Sequence, residues 1–220
     1  LAQAGVHLVL VARDEDKLQQ AADMLSADTG VTVRTIAVDL STSDALSRIQ
    51  PACPAPDILI NNGGGPPTGD FRAWGREEWA NALDSTMVTP IQLIRAYVDG
   101  MIERRWGRIV NIASYSAKLP LPLLGLSNGA RAGLIGFVSG LAREVAEHGV
   151  TINNLLPGNF LTDRLRRYAS AVGAQNGQTA EQVLDDMARH TPVRRVGKPE
   201  EFGAWCAFLA SEHSGYVTAQ

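Results

Sequence analysis

The chain has 220 residues, of which 45% are hydrophobic and 20% charged, and its formal net charge is −3. These values are typical of one globular domain with a substantial core, and they argue against a nucleic-acid-binding protein, which needs a basic excess. No apolar stretch approaches the roughly 18 residues that a membrane-spanning helix needs. Cys53 and Cys206 lie far apart without metal-ligand spacing, so neither a disulfide scaffold nor a metal site is predicted, and a cytoplasmic location is expected.

The hydrophobic pattern predicts strands and helices that alternate along the chain. In chain order the prediction is a strand over 6–12, a helix over 14–27, a strand over 31–38, a helix over 43–49, a strand over 57–60, a loop over 61–69, a helix over 77–105, a strand over 108–112, a helix over 126–148, a strand over 150–156, and helices over 162–171, 179–189 and 199–210. Residues 215–220 are predicted to enter one more strand.

Helices that alternate with almost continuously apolar strands are typical of an α/β fold with a parallel sheet. Residues 1–220 are therefore predicted to form a single doubly wound, Rossmann-type domain without linkers or repeats. Such a sheet binds ligands outside the carboxyl ends of its strands. The loops of interest consequently begin at Arg13, Asp39, Asn61, Ala113 and Pro157.

Polar residues at three of these strand ends are candidates for dinucleotide binding. Arg13 stands where a dinucleotide-binding fold meets the adenosine ribose, and a guanidinium there pairs with the 2′-phosphate of NADP, whereas a carboxylate would bind the 2′-hydroxyl of NAD. The alternative is a solvated arginine. Asp39 either accepts a bond from an adenine amino group or caps the next helix. Residues 61–65 (Asn-Asn-Gly-Gly-Gly) either let a ligand approach the backbone closely or form a flexible turn.

Several short motifs, taken in order, resemble the classical short-chain dehydrogenase/reductase family. They are the strand that ends at Arg13, 39–40 (Asp-Leu), 61–64 (Asn-Asn-Gly-Gly), 107–114 (Gly-Arg-Ile-Val-Asn-Ile-Ala-Ser), 157–158 (Pro-Gly) and 197–201 (Gly-Lys-Pro-Glu-Glu). Each motif is weak by itself, but the ordered set spans essentially the whole chain. The resemblance implies a first strand with a glycine-rich phosphate turn before Leu1 and a last strand after Gln220. We therefore expect a fragment that neither folds stably nor binds a dinucleotide alone.

The resemblance also assigns residues to a cofactor site and implies an NAD(P)-dependent oxidoreductase. The assigned residues are Arg13, Asp39, Leu40, Asn61, Gly63, Arg131, Pro157, Gly158 and Thr162. Thr162 is expected to meet the nicotinamide carboxamide, and it is also a candidate helix N-cap. Because of Arg13, NADP rather than NAD is the expected cofactor.

The catalytic set of the family is an Asn, a Ser, a Tyr and a Lys four residues after the Tyr, and this chain departs from it at three positions. Ser114 matches the Ser, whereas Thr86, Ser127 and Arg131 stand at the Asn, Tyr and Lys positions. A serine hydroxyl has a much higher pKa than a phenol, so Ser127 is not a comparable proton donor. Arginine does not deprotonate. Tyr115 is either a substitute acid or a loop aromatic that packs against the sheet.

Two functions follow from this pattern. The first is an NADPH-preferring carbonyl reductase, similar to 3-oxoacyl reductases, that transfers hydride to or from a small carbonyl or alcohol substrate. The alternative is a catalytically silent relative that binds a nucleotide or a partner. Neither nucleic acid nor a membrane is an expected partner. Gly129, Gly133, Gly136 and Gly140 indicate a close backbone approach, either within the chain or in a homo-oligomer formed, as in the family, through helices 77–105 and 126–148.

Overall fold

The computed structural model describes every residue from Leu1 to Gln220 as parallel strands that alternate with helices. The strands and helices are β1 (Leu8–Ala12), α1 (Glu15–Thr29), β2 (Val33–Ala37), α2 (Ala45–Ile49), β3 (Ile58–Asn61), α3 (Arg76–Leu83), α4 (Thr89–Glu103), β4 (Gly107–Ile112), α5 (Gly125–Val145), β5 (Val150–Leu155), α6 (Asp163–Asn176), α7 (Ala180–His190) and α8 (Pro199–Leu209). A π-helical turn, Asp84–Val88, joins α3 to α4. Short 3₁₀ turns lie at Ala2–Ala4, Phe71–Ala73, Tyr115–Ala117, Ala146–His148 and Glu212–Ser214.

The five strands form two sheets. In the first, β1 pairs with β2 from Leu8 opposite Val33 to Ala12 opposite Ala37; in the second, β4 lies between β3 and β5. All pairs are parallel, so the carboxyl ends of paired strands meet at one edge. The predicted α/β class with parallel strands is confirmed, although the strands lie in two sheets rather than in one.

The main hydrophobic core packs α4 and α5 against the second sheet. Strands β4 and β5 are buried along almost their whole length, as their continuous apolar sequences predict. Met101, Ile109, Val138 and Ile152 are fully buried in this core. A smaller cluster around Val38, Ala45 and Ile49 covers β2 and α2.

The chain forms two compact units, Leu1–Leu156 with Ala207–Gln220, and Pro157–Cys206. In the first unit, buried Arg108 of β4 donates from Nε to the Ser211 carbonyl over 3.0 Å, which ties the end of the chain to the sheet. In the second unit, α6 packs against α7, and the rings of Phe160 and Phe202 meet edge to face at 5.1 Å.

Two predicted elements are wrong in detail. The helix over 77–105 is not regular, because the π-helical turn interrupts its hydrogen bonding between α3 and α4. Residues 215–220 do not form a strand. The Ala219 N–H donates to the Ile152 carbonyl over 2.9 Å, as in sheet pairing, but a φ of +62° at Ala219 breaks the extended conformation.

None of the helices combines the length and apolar character that crossing a membrane requires. The side chains of His, Cys, Asp and Glu nowhere gather in a group of three that could hold a metal ion.

Candidate active site

Ser127 and Arg131 form a hydrogen-bonded pair on one face of α5. The two residues are four apart, so the helix places their side chains side by side. Arg131 donates from Nε to Ser127 Oγ over 3.2 Å and from Nη1 to the carbonyls of Ile112 and Ala113, both over 2.8 Å. Both side chains are 9% exposed. Arg131 therefore clamps the first turns of α5 to the carboxyl end of β4 and keeps a buried positive charge beside the Ser127 hydroxyl.

Ser114 lies directly after the residues that Arg131 contacts. It begins the 3₁₀ turn Tyr115–Ala117, where its Oγ accepts from the Ser116 N–H over 3.2 Å. Each of the hydroxyls of Ser114 and Ser127 accepts one hydrogen bond within the chain and donates none. Since a hydroxyl carries one proton to donate, both groups can donate to an external oxygen.

Thr86 lies in the π-helical turn between α3 and α4. It is 5% exposed, and its hydroxyl has no hydrogen-bond partner. π-Helical turns within α-helices are frequent at functional sites, because they displace a side chain from the regular helix face. The turn packs against α5. A Cβ on Gly133 of α5 would lie 2.8 Å from the Met87 sulfur, so glycine leaves room for Met87 there. The structure shows no hydrogen bond between Thr86 and Ser127.

A ladder of asparagine amides crosses the second sheet at the carboxyl ends of its strands. Asn61 donates from Nδ2 to Asn111 Oδ1 over 2.8 Å, and Asn111 donates from Nδ2 to Asn154 Oδ1 over 3.2 Å. All three are buried, and they occupy one register row across β3, β4 and β5. Asn154 also donates from Nδ2 to the Gln220 backbone carbonyl over 3.1 Å. The signal for this row in the sequence is an asparagine at or next to the end of each of the three strands.

Arg13 and Asp39 meet at the carboxyl ends of β1 and β2. Their closest nitrogen and oxygen atoms are 3.9 Å apart, and the Arg13 side chain is 80% exposed. Asp39 accepts from the Ser41 N–H and hydroxyl over 3.0 and 2.8 Å, and these bonds lower the pKa of the Asp39 carboxyl. Asp39 therefore fixes the turn that follows β2. It does not cap the next helix as predicted, because Asp44 stands at the N-cap of α2. Leu40 and Ser41 line a cavity of about 390 Å³ that reaches Val88 and Leu93.

The glycine-rich loop after β3 has space around it. A Cβ on Gly63 would meet only the Ser85 carbonyl oxygen, at 3.9 Å, and one on Gly64 would meet nothing within 4 Å. Neither glycine has a positive φ. Packing inside the chain therefore does not account for glycine at these two positions.

Three of the predicted cofactor residues belong to the unit Pro157–Cys206. Thr162 is the N-cap of α6, since its hydroxyl accepts from the Leu165 N–H over 3.3 Å. This is the capping role foreseen for it, and a hydroxyl in that role still has a proton to donate. Pro157 and Gly158 begin the unit, and a Cβ on Gly158 would meet no atom within 4 Å.

The glycines along α5 have two different surroundings. A Cβ on Gly129 would lie 3.2 Å from the Trp79 ring, and one on Gly133 would meet Met87, so these two glycines admit side chains of the same chain. Gly136 and Gly140 have nothing within 4 Å. The close approach within the chain thus accounts for the first half of the glycine run only.

Comparison with known proteins identifies the family. A sequence model described as "Enoyl-(Acyl carrier protein) reductase" matches residues 1–220. The chain is also 36% identical over 180 residues to the acetoacetyl-CoA reductase of Cupriavidus necator, covering 81% of this chain and 68% of that protein. The chain belongs to the short-chain dehydrogenase/reductase family.

Solved structures of this short-chain dehydrogenase/reductase family have the same fold. The L-sorbose reductase of Gluconobacter frateurii, complexed with NADPH and L-sorbose, superposes with a TM-score of 0.93 at 31% identity, covering 99% of this chain and 85% of that chain. An NADPH-bound short-chain oxidoreductase from Pseudomonas aeruginosa, described as containing an atypical catalytic center, superposes with a TM-score of 0.87 at 29% identity, covering 100% and 85%. The predicted family and Rossmann-type fold are therefore confirmed. The roles assigned to individual site residues remain predictions.

Proposed function

We propose that this protein is an NADPH-dependent carbonyl reductase whose Ser127 and Arg131 act in place of the Tyr and Lys of the family. The predicted class, an NAD(P)-dependent oxidoreductase, and the preference for NADP are confirmed by relatives that use or bind NADPH. The hydrogen bond from Arg131 Nε to Ser127 Oγ carries the proposal for the catalytic residues. This bond holds the Ser127 hydroxyl beside the fixed positive charge of Arg131. The hydroxyl proton can therefore be donated to a substrate oxygen.

The chain's own residues fit NADPH at the adenosine end. The Arg13 guanidinium is exposed and has one ion pair, to Asp39 at a distance longer than a hydrogen bond, so its donors can bind a 2′-phosphate. Leu40 would meet the adenine beside the cavity that it lines. Asn61 and Gly63 would lie along the cofactor, where the open space at Gly63 and Gly64 admits a ligand. When bound, NADPH supplies the hydride that reduces the substrate carbonyl.

Ser127 and Ser114 would hold the substrate oxygen through donated hydrogen bonds. As the carbonyl is reduced, negative charge develops on this oxygen, and donors that are already in place stabilise that charge without reorganisation. The Arg131 guanidinium strengthens the Ser127 donor by adding positive charge to its oxygen through Nε. Neither serine nor Arg131 is an acid of suitable pKa. The proton that converts the reduced oxygen into a hydroxyl group therefore comes from water.

Arg131 would also contribute to the cofactor site, and Thr86 would support the catalytic groups from the π-helical turn. Arg131 already spans from α5 to the end of β4, which fixes the direction of its guanidinium. The unpartnered Thr86 hydroxyl is buried next to α5, and an ordered water there would satisfy it. Pro157, Gly158 and Thr162 are proposed to meet the nicotinamide end.

The proposal is tested on the full-length protein by cofactor binding and by reduction of a 3-oxo ester, followed through the loss of NADPH absorbance. We expect tighter binding of NADPH than of NADH, and turnover that falls on the order of 10²-fold in Ser114→Ala and Ser127→Ala because each loses a donor to the developing charge. Ser139→Ala is the matched control, since Ser139 is also on α5 but bonds its own helix at Ile135. Binding without turnover of any carbonyl compound would instead support the catalytically silent alternative.

We also propose that the protein assembles as a homo-oligomer through helices 77–105 and 126–148. Gly136 and Gly140 leave the α5 surface open, and the Phe137 side chain between them is 40% exposed. Glycines permit close helix contact, and an exposed aromatic side chain gains from being covered. Light scattering should give a multiple of the chain mass, and Phe137→Glu should lower it. A monomeric mass at all concentrations contradicts assembly. Cytoplasmic location remains a prediction.

A further inference from the structure

Two loops that flank the candidate catalytic residues carry an unusual concentration of exposed apolar side chains. One loop leads from β4 to α5, between Ser114 and Ser127, and contains six consecutive residues without a polar side chain, 119–124 (Leu-Pro-Leu-Pro-Leu-Leu). Within it, Leu119 is 64% exposed and Leu123 is 62% exposed. The other loop follows β3, and its Phe71 is 62% exposed. Exposed apolar side chains on loops that border a candidate site are a feature of ligand-binding surfaces.

The two loops are held together. The Gly69 N–H donates to the Leu123 carbonyl over 2.9 Å, and Asn128, next to Ser127, donates from Nδ2 to the Leu121 carbonyl over 3.0 Å. The Trp74 ring, from the segment after β3, lies between Gly69 and the first residue of α5, since a Cβ on Gly69 or on Gly125 would lie 3.4 or 3.1 Å from it. The exposed leucines therefore belong to an anchored surface that is continuous with the first turn of α5.

Leu123 also has a strained backbone. Its φ is +62°, in the left-handed region that favours glycine and is costly for a leucine. Strained residues concentrate at functional sites, where the surrounding structure holds them in place. Here the bond from Gly69 holds Leu123, and the result is a large apolar side chain kept in the open beside the site.

We propose that Leu119, Leu123 and Phe71 bind the apolar substituent of the substrate, so that the enzyme selects carbonyl compounds with an alkyl or aryl group over polyhydroxylated ones. The inference rests on the proposed carbonyl reductase function. Residues 119–124 offer no side-chain hydrogen bond to a sugar hydroxyl, and the two prolines also lack a backbone N–H. If the substrate oxygen binds at Ser127, an alkyl substituent that extends along this loop covers the exposed leucines instead.

The test is a series of methyl ketones whose alkyl chain grows by one methylene at a time, with L-sorbose as the polyhydroxylated probe. For the full chain we expect kcat/KM to rise about fourfold per methylene, the factor that corresponds to burying one CH₂ group, until the surface is covered. In the variant Leu119→Ser with Leu123→Ser the rise should be lost, while the NADPH dissociation constant stays unchanged. Met24→Ser is the matched control, since Met24 is 59% exposed on α1 and should leave the chain-length dependence intact.

Equal kcat/KM across the ketones, or a preference for L-sorbose, would contradict the proposed binding of the apolar substituent. Either result would leave the reductase function supported. If no carbonyl is reduced, the reductase function fails, and the surface is tested by quenching of tryptophan fluorescence with the same ketones. Dissociation constants that fall with chain length, and that lose this dependence in the double serine variant, would uphold the surface. Quenching independent of chain length would overturn it.

Discussion

Asn61 donates a hydrogen bond from its side-chain amide to the side-chain oxygen of Asn111 over 2.8 Å, although 50 residues separate them in sequence. The parallel register places Asn61 opposite Asn111, at the ends of β3 and β4. Asn111 is completely buried, and a second bond joins it to Asn154 on β5. Two side-chain hydrogen bonds thus join three buried amides at the edge of the sheet where the candidate active site begins, and Asn61 Oδ1 is left without a partner.

Replacing the central asparagine should destabilise the protein strongly. Asn111→Leu keeps the branched shape of the side chain but leaves the Asn61 donor and the Asn154 acceptor buried without a partner. Each of the two lost partners costs about 1–3 kcal/mol, so we expect a loss of about 2–6 kcal/mol in the free energy of unfolding, measured with urea. Asn62→Leu is the control, because Asn62 is exposed and should change stability by less than about 0.5 kcal/mol. Equal effects of the two substitutions would contradict the bridging role.

Removing the charge at the end of β1 should change cofactor preference. Arg13→Ala is expected to weaken NADPH binding about ten- to a hundredfold, since charge-assisted hydrogen bonds contribute about 1.5–3 kcal/mol, and to leave NADH binding almost unchanged. Isothermal titration with both nucleotides checks this. Arg34→Ala serves as the control, because Arg34 is also exposed but lies within β2 and bonds the Ala52 carbonyl. If Arg13→Ala weakened the binding of NADPH and NADH equally, Arg13 would not be the residue that binds the 2′-phosphate.

The pH profile of turnover should distinguish the Ser127–Arg131 pair from a Tyr–Lys pair. Neither serine nor arginine titrates between about pH 6 and pH 9, so the kcat of the natural chain should be flat over that range. The double variant Ser127→Tyr with Arg131→Lys restores the residues of the family and should introduce an ionisation there. NADPH binding confirms that the variant is folded. A bell-shaped or sloping kcat profile in the natural chain would mean that another group, such as Tyr115, supplies the proton.

Glu201 should titrate far below its usual range. Arg195 donates to its carboxylate from Nη1 over 2.7 Å, and this bond, followed by the bond from the Lys198 N–H, lowers the pKa of Glu201 to about 2. A lowered pKa in the folded state means that the charged carboxylate stabilises the fold above the ordinary value of 4.5 and that this contribution is lost as pH falls toward 2.

Carbon-13 NMR of labelled glutamate can follow this titration directly. In Arg195→Gln the pKa of Glu201 should rise toward 4.5, since the principal donor is gone. The stability difference between the natural chain and Glu201→Gln should shrink as pH falls through the same interval. A pKa near 4.5 in the natural chain would show that solvent screens this exposed ion pair completely.

How much of the site could be predicted depended on how local each interaction is. The position of Arg13 after a strand and the cap at Thr162 follow from neighbouring residues, and the structure has them where the sequence predicts. The Ser127–Arg131 bond also spans only one helical turn. By contrast, the clamp from Arg131 to the carbonyls at the end of β4 joins residues 18 and 19 positions apart, and no local pattern indicates it.

The sequence by itself determined the alternation of strands and helices, because hydrophobic periodicity and glycine or capping residues act over a few positions. It also indicated the family, since the motifs lie at strand ends that any parallel α/β sheet brings to one edge. Only the tertiary structure decided that Asn61, Asn111 and Asn154 bond to one another, that Trp79 fills the space at Gly129, and that the leucines before α5 stay exposed. Register and packing decide such contacts, and both depend on residues that are distant in the chain.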